Sequence, residues 1–352
     1  MALTINVPDT LRKAVESASG GRNTVLYTAK GQPCYMAVIP KFNLQDIDAS
    51  LGTGTHPAFI VGGVEKSQLF IGQHIGVSRN SEMLSLPGLD PINTITHDAA
   101  VSLVRANGTG WHLMTNVEWA AIAQWCWKNG FQPRGNSNYG KSSDLATEMG
   151  VRQDGVTPGT ASGNARTLTG SGPTSWRHNN TPFGIADLNG NVWEWSPGMR
   201  LNAGEIQIMA DNDAAASTAD FSAGSAAWKA IDGATGALVA PGTAGTVKYA
   251  TSGTADYTLV RASGSSFEGM TNPGTNPVGA TALQVLKRHG LYPLVSSGLG
   301  GDGFWLDVTS ERVPVRGGDW NTAAISGVFA LALTDARSNS VALIGARSAF
   351  VS

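Results

Sequence analysis

The sequence predicts a loop-rich α+β fold, on three observations. Two compact helical patterns lie between residues 97 and 129, short strand-like runs flank them on both sides, and long glycine-rich stretches carry neither signal. The 352 residues suffice for one large or two ordinary domains, and 41% hydrophobic content with ten Trp provides a core. Charged residues are scarce at 14%, while 44 Gly and 16 Pro are many, without collagen or repeat periodicity. That balance suits a rigid chain working within a larger assembly. Two cysteines cannot make a disulfide framework. A net charge of -2 removes the electrostatic case for nucleic acid or an anionic membrane, and no run reaches the apolar length of a membrane span. Residues Met1 to Pro8 lack the basic region and long apolar stretch of a secretion signal, so the chain is expected to fold where it is made.

The elements follow in order. A short helix is expected around Pro8–Ala18, then strands at Thr24–Thr28 and Pro33–Pro40. The turn-rich run Leu51–Pro57 reads as a hinge, which makes residues 1–55 a small β-rich extension. That extension either anchors the protein to a virion or partner fibre, mediates oligomerisation, or packs on the main domain. Ala58–Val61 and Gln68–Gly72 read as a hairpin entering a unit that runs from 56 to 352. His97–Asn107 is a helix with Thr96 as N-cap and Gly108 as stop. Thr115 and Glu118 have capping-box spacing and open a second helix, Val117–Asn129, on whose apolar face Cys126 reads as a small core residue rather than a nucleophile. Beyond Pro133 helix signals nearly vanish. Short β-like pieces at Glu205–Met209, Thr246–Tyr249 and Tyr257–Arg261, with the small-residue run Ala214–Ala227, mark an insertion over about 202–293.

Three segments carry the strongest signals. The first surrounds Leu113-Met114-Thr115-Asn116 between the two helices. In the second, Asn189-Gly190-Asn191 is a turn and Val192-Trp193-Glu194-Trp195 a strand, with both Trp on one side and Glu194 on the other. In the third, Arg316-Gly317-Gly318 permits close backbone approach ahead of a buried Trp320, and Gly345-Ala346-Arg347 follows. In this order they resemble the formylglycine-generating-enzyme (sulfatase-modifying) branch of the C-type lectin fold, over about Ser81 to Ser352. The resemblance implies a C-type lectin-like fold framed by Trp193, Trp195, Arg316, Gly317, Gly318, Trp320 and Arg347. Oxidising members of that family carry a late pair of reactive cysteines, and none follows Cys126 here. Its iron members use a closely spaced His/Glu cluster, and His56, His74, His97, His112, His178 and His289 offer no such pair. The enzyme reading therefore loses its chemistry.

A non-catalytic branch of the fold serves as the variable protein of diversity-generating retroelements, as in tropism-determining tips of phage tail fibres, and the chain is similar to that branch. Randomised adenines at AAC or AAT codons, the usual targets in such genes, leave a pyrimidine in third position and cannot produce Lys, Glu, Gln, Met or Trp codons. Residues 317–352 contain no Lys, Glu, Gln or Met, and the single Trp there is the scaffold Trp320. Small or apolar residues cluster at Thr322, Ala323, Ala324, Ile325 and Ser326, at Ala332, Thr334 and Asp335, and at Val341, Ala342, Leu343 and Ala346. They read as positions of a displayed ligand-binding face over about 317–352, or alternatively as buried strands. The resemblance implies a cell-surface receptor, protein or glycan, as partner, and a virion location or surface display. The family also implies a structural Ca²⁺ near Asn191 and Glu194, against a structural ion pair of Glu194 with an Arg such as Arg316. The competing functions are a glycan-binding or structural tail protein without diversification, and a divergent sulfatase-modifying-type enzyme.

Overall fold

The computed structural model describes residues 9–261 and 266–352. The start of the expected first helix, Pro8, lies outside them. Helix Thr10–Ser19 is set by its ends: the Asp9 carboxylate accepts from the Arg12 N–H at 2.9 Å, and Gly20 closes it in the left-handed conformation. Both later helices form within two residues of their expected ends, His97–Arg105 and Asn116–Lys128. The second is opened by the Thr115–Glu118 capping box and is buried almost all round. No helix among the described residues is long and apolar enough to cross a membrane.

Three sheets make the frame. The first runs Asn23–Tyr27, Pro33–Pro40, Gln68–Gly72, Ser348–Phe350, Trp111–Leu113. Ala349 pairs with Ile71 on one side and His112 on the other, so the carboxyl-terminal strand is clamped between early strands. The second runs Phe304–Leu306, Gly327–Leu333, Val315–Gly317, Trp193–Trp195, Ile344–Gly345. Its outer strands are parallel to their neighbours, and its centre is antiparallel with a bulge at Arg316/Gly317. The third gathers Met199–Asn202, Glu205–Ile208, Lys229–Ile231, Leu238–Val239, Lys248–Ala250, Thr258–Val260 and Glu311–Arg312.

Several expectations need correction. The sheet runs across the boundary expected near residue 55. Met36 to Pro40 pair with Gly72 to Gln68, so strands Asn23–Tyr27 and Pro33–Pro40 belong to the main body rather than to a separate extension. The weak alternation of the early chain hid this, because the partner strands lie far away in sequence. Ile60–Val61 pairs with Val64–Glu65, not with Gln68–Gly72, which pairs with Pro33–Pro40. The insertion carries a helix, Ala280–Arg288, that was not expected. Its Ala282 and Leu286 sit in the same core as Trp119 and Ile122 of the long helix.

Candidate functional site

The site is built around the Trp193–Trp195 strand. Gly190 (φ 74°) and Asn191 (φ 67°) turn the chain into it in the left-handed region. A Cβ on Gly190 would lie 2.1 Å from the Asn136 carbonyl oxygen, so no side chain fits there. Trp193 and Trp195 share a core with Val315, Ala330, Ala332 and Ile344, and the Trp193 ring meets Trp305 edge-on at 5.2 Å. Asp319, buried beside them, receives the Asn321 N–H at 2.8 Å. Burial pushes its carboxyl pKa up, against hydrogen bonds that include one from Trp193. Trp305 and Asp319 were not singled out from sequence, although Phe304-Trp305-Leu306 is a short apolar run of the kind that forms buried strands.

On the opposite side of this strand, Glu194 and Arg347 form a bidentate pair, Nε to Oε2 at 2.9 Å and Nη2 to Oε1 at 2.6 Å. The same guanidinium donates to the Gly72 and Ala186 carbonyls, each at 2.9 Å. Both side chains are buried. The partner of Glu194 is therefore Arg347 and not Arg316, which donates instead to Asn116 Oδ1 and to the Gly290 carbonyl. The expected Ca²⁺ does not fit at Asn191 and Glu194. Both Glu194 oxygens already accept from a cation, and Asn191 Oδ1 accepts from the Thr167 N–H at 2.8 Å and Asn136 Nδ2 at 3.2 Å.

The expected display residues divide. Ala323, Ala324, Thr334, Ile325 (43%) and Val341 (39%) are exposed, and Thr322, Asp335, Ala342 and Leu343 are half-buried. Ser326, Ala332 and Ala346 are buried, which corrects their placement on a displayed face. Ala332, the next-to-last residue of its strand, and Ala346 belong to the Trp195 core, and Ser326 donates to the Gly317 carbonyl at 2.8 Å. The exposed residues also do not form a single patch. Ile325 and Thr334 flank opposite ends of the strand Gly327–Leu333, which spans about 20 Å at the usual rise. Ala342 and Leu343 instead pack against the small core of Ile75, Ala165, Val192 and Trp320, whose Trp320 carbonyl accepts from the Tyr139 N–H, while the Ala323 N–H donates to the Ser137 carbonyl.

Reactive groups are withdrawn from the surface. Cys34 and Cys126 are both buried thiols, and burial pushes Cys34 up to about 12 and Cys126 higher still. Among the described residues no three His, Cys, Asp or Glu side chains converge as a metal-binding group.

No protein-family profile and no curated protein matches the chain. Two solved structures align with it at 12% identity. PvdO from Pseudomonas aeruginosa covers 93% of this chain and 97% of its own, with a TM-score of 0.38. Variable protein 1 of Treponema denticola covers 93% and 98%, with a TM-score of 0.35. Likeness at this level carries no weight for function, which rests on the geometry above.

Proposed function

We propose that this chain is a ligand-binding variable protein on a C-type lectin-like scaffold, displaying residues 322–325 and 341–343 around Trp320 and a second patch at Thr334–Asp335. The observation that supports it is the division of labour along the carboxyl-terminal segment. Trp193, Trp195, Arg316, Trp320 and Arg347 are buried and bonded within the fold, while Ala323, Ala324, Ile325 and Val341 contribute exposed side chains to no core. Short turns anchored at both ends by buried strands lose little conformational entropy on docking, and their small apolar side chains favour a shallow apolar epitope. The buried thiols support a binding rather than a catalytic role. The partner fitting this reading is a receptor on a target cell, with multiple copies on a phage tail supplying avidity.

Deep sequencing of this gene across a growing population tests the proposal. Variation is expected at the codons of Thr322 to Ile325, Thr334, Asp335 and Val341 to Leu343, with Ser326, Ala332, Ala346 and the scaffold residues constant. Variation spread evenly over the chain, or none in these codons beside a reverse transcriptase gene, would overturn it.

A further inference from the structure

Asp302 is 5% exposed, yet its only hydrogen-bond donor among the described residues is the Phe329 N–H, 2.7 Å from Oδ2. The charged groups acting on it from neighbouring elements, Glu268 and Asp144, are both acidic, and burial together with these neighbours pushes its pKa up. Asp302 and Asp144 line a cavity of about 40 Å³ together with Gln132 and Asn189. Asn189, also 5% exposed, donates Nδ2 to the Pro133 carbonyl at 3.0 Å, which fixes its amide. Its Oδ1 is buried without a partner. A buried carboxylate without a counter-charge and a buried acceptor without a donor are each costly, and here they border one small cavity.

We infer that this cavity is a site for a hard divalent cation of the calcium class, held by the Asp302 carboxylate and the Asn189 amide oxygen. Water completes the coordination, and Asp144 and Glu268 contribute charge. One cation removes both costs, and the ligand set is all oxygen, as such ions require. The volume admits an ion with about one water. The site is also mechanically placed. A Cβ on Gly327 would lie 2.2 Å from each Asp302 carboxylate oxygen, so the carboxylate lies flat on the first residue of the Gly327–Leu333 strand. The next residue after Asp302, Gly303, donates its N–H to the Ile325 carbonyl at 2.8 Å. Occupancy therefore braces the segment Ala323–Ile325, and the inference holds whether or not that segment binds a receptor.

The full chain, stripped with chelator, tests it by equilibrium dialysis with radiolabelled calcium and by melting in CaCl2 or MgCl2 at constant ionic strength. Saturable calcium binding with a rise in Tm of several degrees is expected. In Asp302→Asn, binding should weaken by at least about tenfold and the calcium-dependent rise should vanish, with a metal-free Tm no lower than the parent's. Should that variant fail to fold, Asp144→Asn at the exposed wall should weaken binding several-fold. No saturable binding by the parent at millimolar calcium, or undiminished binding by the Asp302 variant (or by the Asp144 variant in its place), overturns the inference. In that case a proton on Asp302 meets the demand.

Discussion

Glu194 and Arg347 lie 153 positions apart in sequence and meet in a place without water. Each would be a severe liability alone, because a buried charge that loses its partner keeps its desolvation cost. Glu194→Gln should therefore destabilise the protein by about 3–5 kcal/mol, read as a fall in the urea midpoint at unchanged slope. Arg347→Met should cost a similar amount, and the double variant should recover part of the loss. A loss near 0.5 kcal/mol, the scale of a surface change, would contradict this account. The sequence marked Arg347 as framework and Glu194 as a calcium ligand or ion-pair partner, but did not pair the two. Arg316 was an equally reasonable choice until the structure turned it toward Asn116.

The strand Gly327–Leu333 shows why element-level reading was half right. All seven residues are buried, with Val328, Phe329, Leu331 and Leu333 in one core, while Ala330 and Ala332 share the other with Trp193 and Trp195. Pattern alone could not separate Ala332 from Ala324, since both are small residues in an apolar run. What differs is the Trp195 core over the first and solvent over the second. Ala332→Leu should overpack that core and cost about 1–3 kcal/mol, whereas Ala324→Leu should fall within about 0.5 kcal/mol of the parent. Melting curves of the two variants check this, and equal losses would show that the strand and the turn are not distinguished as described. The helices were read more accurately. Their caps and stops are local, and the Thr115–Glu118 box needs no distant partner to be recognised. Helix Ala280–Arg288 escaped notice because it follows Gly279 with no side-chain cap and lies in a region dominated by glycine and small residues.

Across the whole molecule, buried histidines contribute to the response to acid. Burial holds His56, His74 and His178 down at about 3 and His289 at about 4, against 6.5 in the unfolded chain. The unfolded state therefore takes up protons that the folded state refuses. Stability is full above about pH 6.5 and is lost as pH falls toward the folded values, by up to about 1.4 kcal/mol per pH unit for each such histidine. His112 acts in the opposite sense. Burial opposes its charge, but Glu118 at 2.9 Å and the Gly110 carbonyl hold its pKa above the usual value. Among these histidines four against one favours acid lability, while buried carboxyls whose pKa burial raises, Asp302 and Asp319 among them, act in the opposite sense as pH falls. Urea unfolding at pH 7.5, 6 and 5 should show steadily falling stability, and a flat profile would mean these histidines are not buried neutral.

The sequence by itself determined the α+β class, the two capped helices, the left-handed turn at Gly190 and Asn191, and the division of Trp193 and Trp195 from Glu194. Each is a property of a few adjacent residues, fixed by backbone sterics, hydrogen-bond spacing and strand alternation. Only the tertiary structure decided that the amino-terminal strands and the carboxyl-terminal strand share one sheet, that Glu194 pairs with Arg347, that Ala332 and Ala346 are buried, and that Asn189 and Asp302 border one cavity. These are contacts between residues far apart in the chain, and burial belongs to what the rest of the fold places over a side chain rather than to the side chain itself.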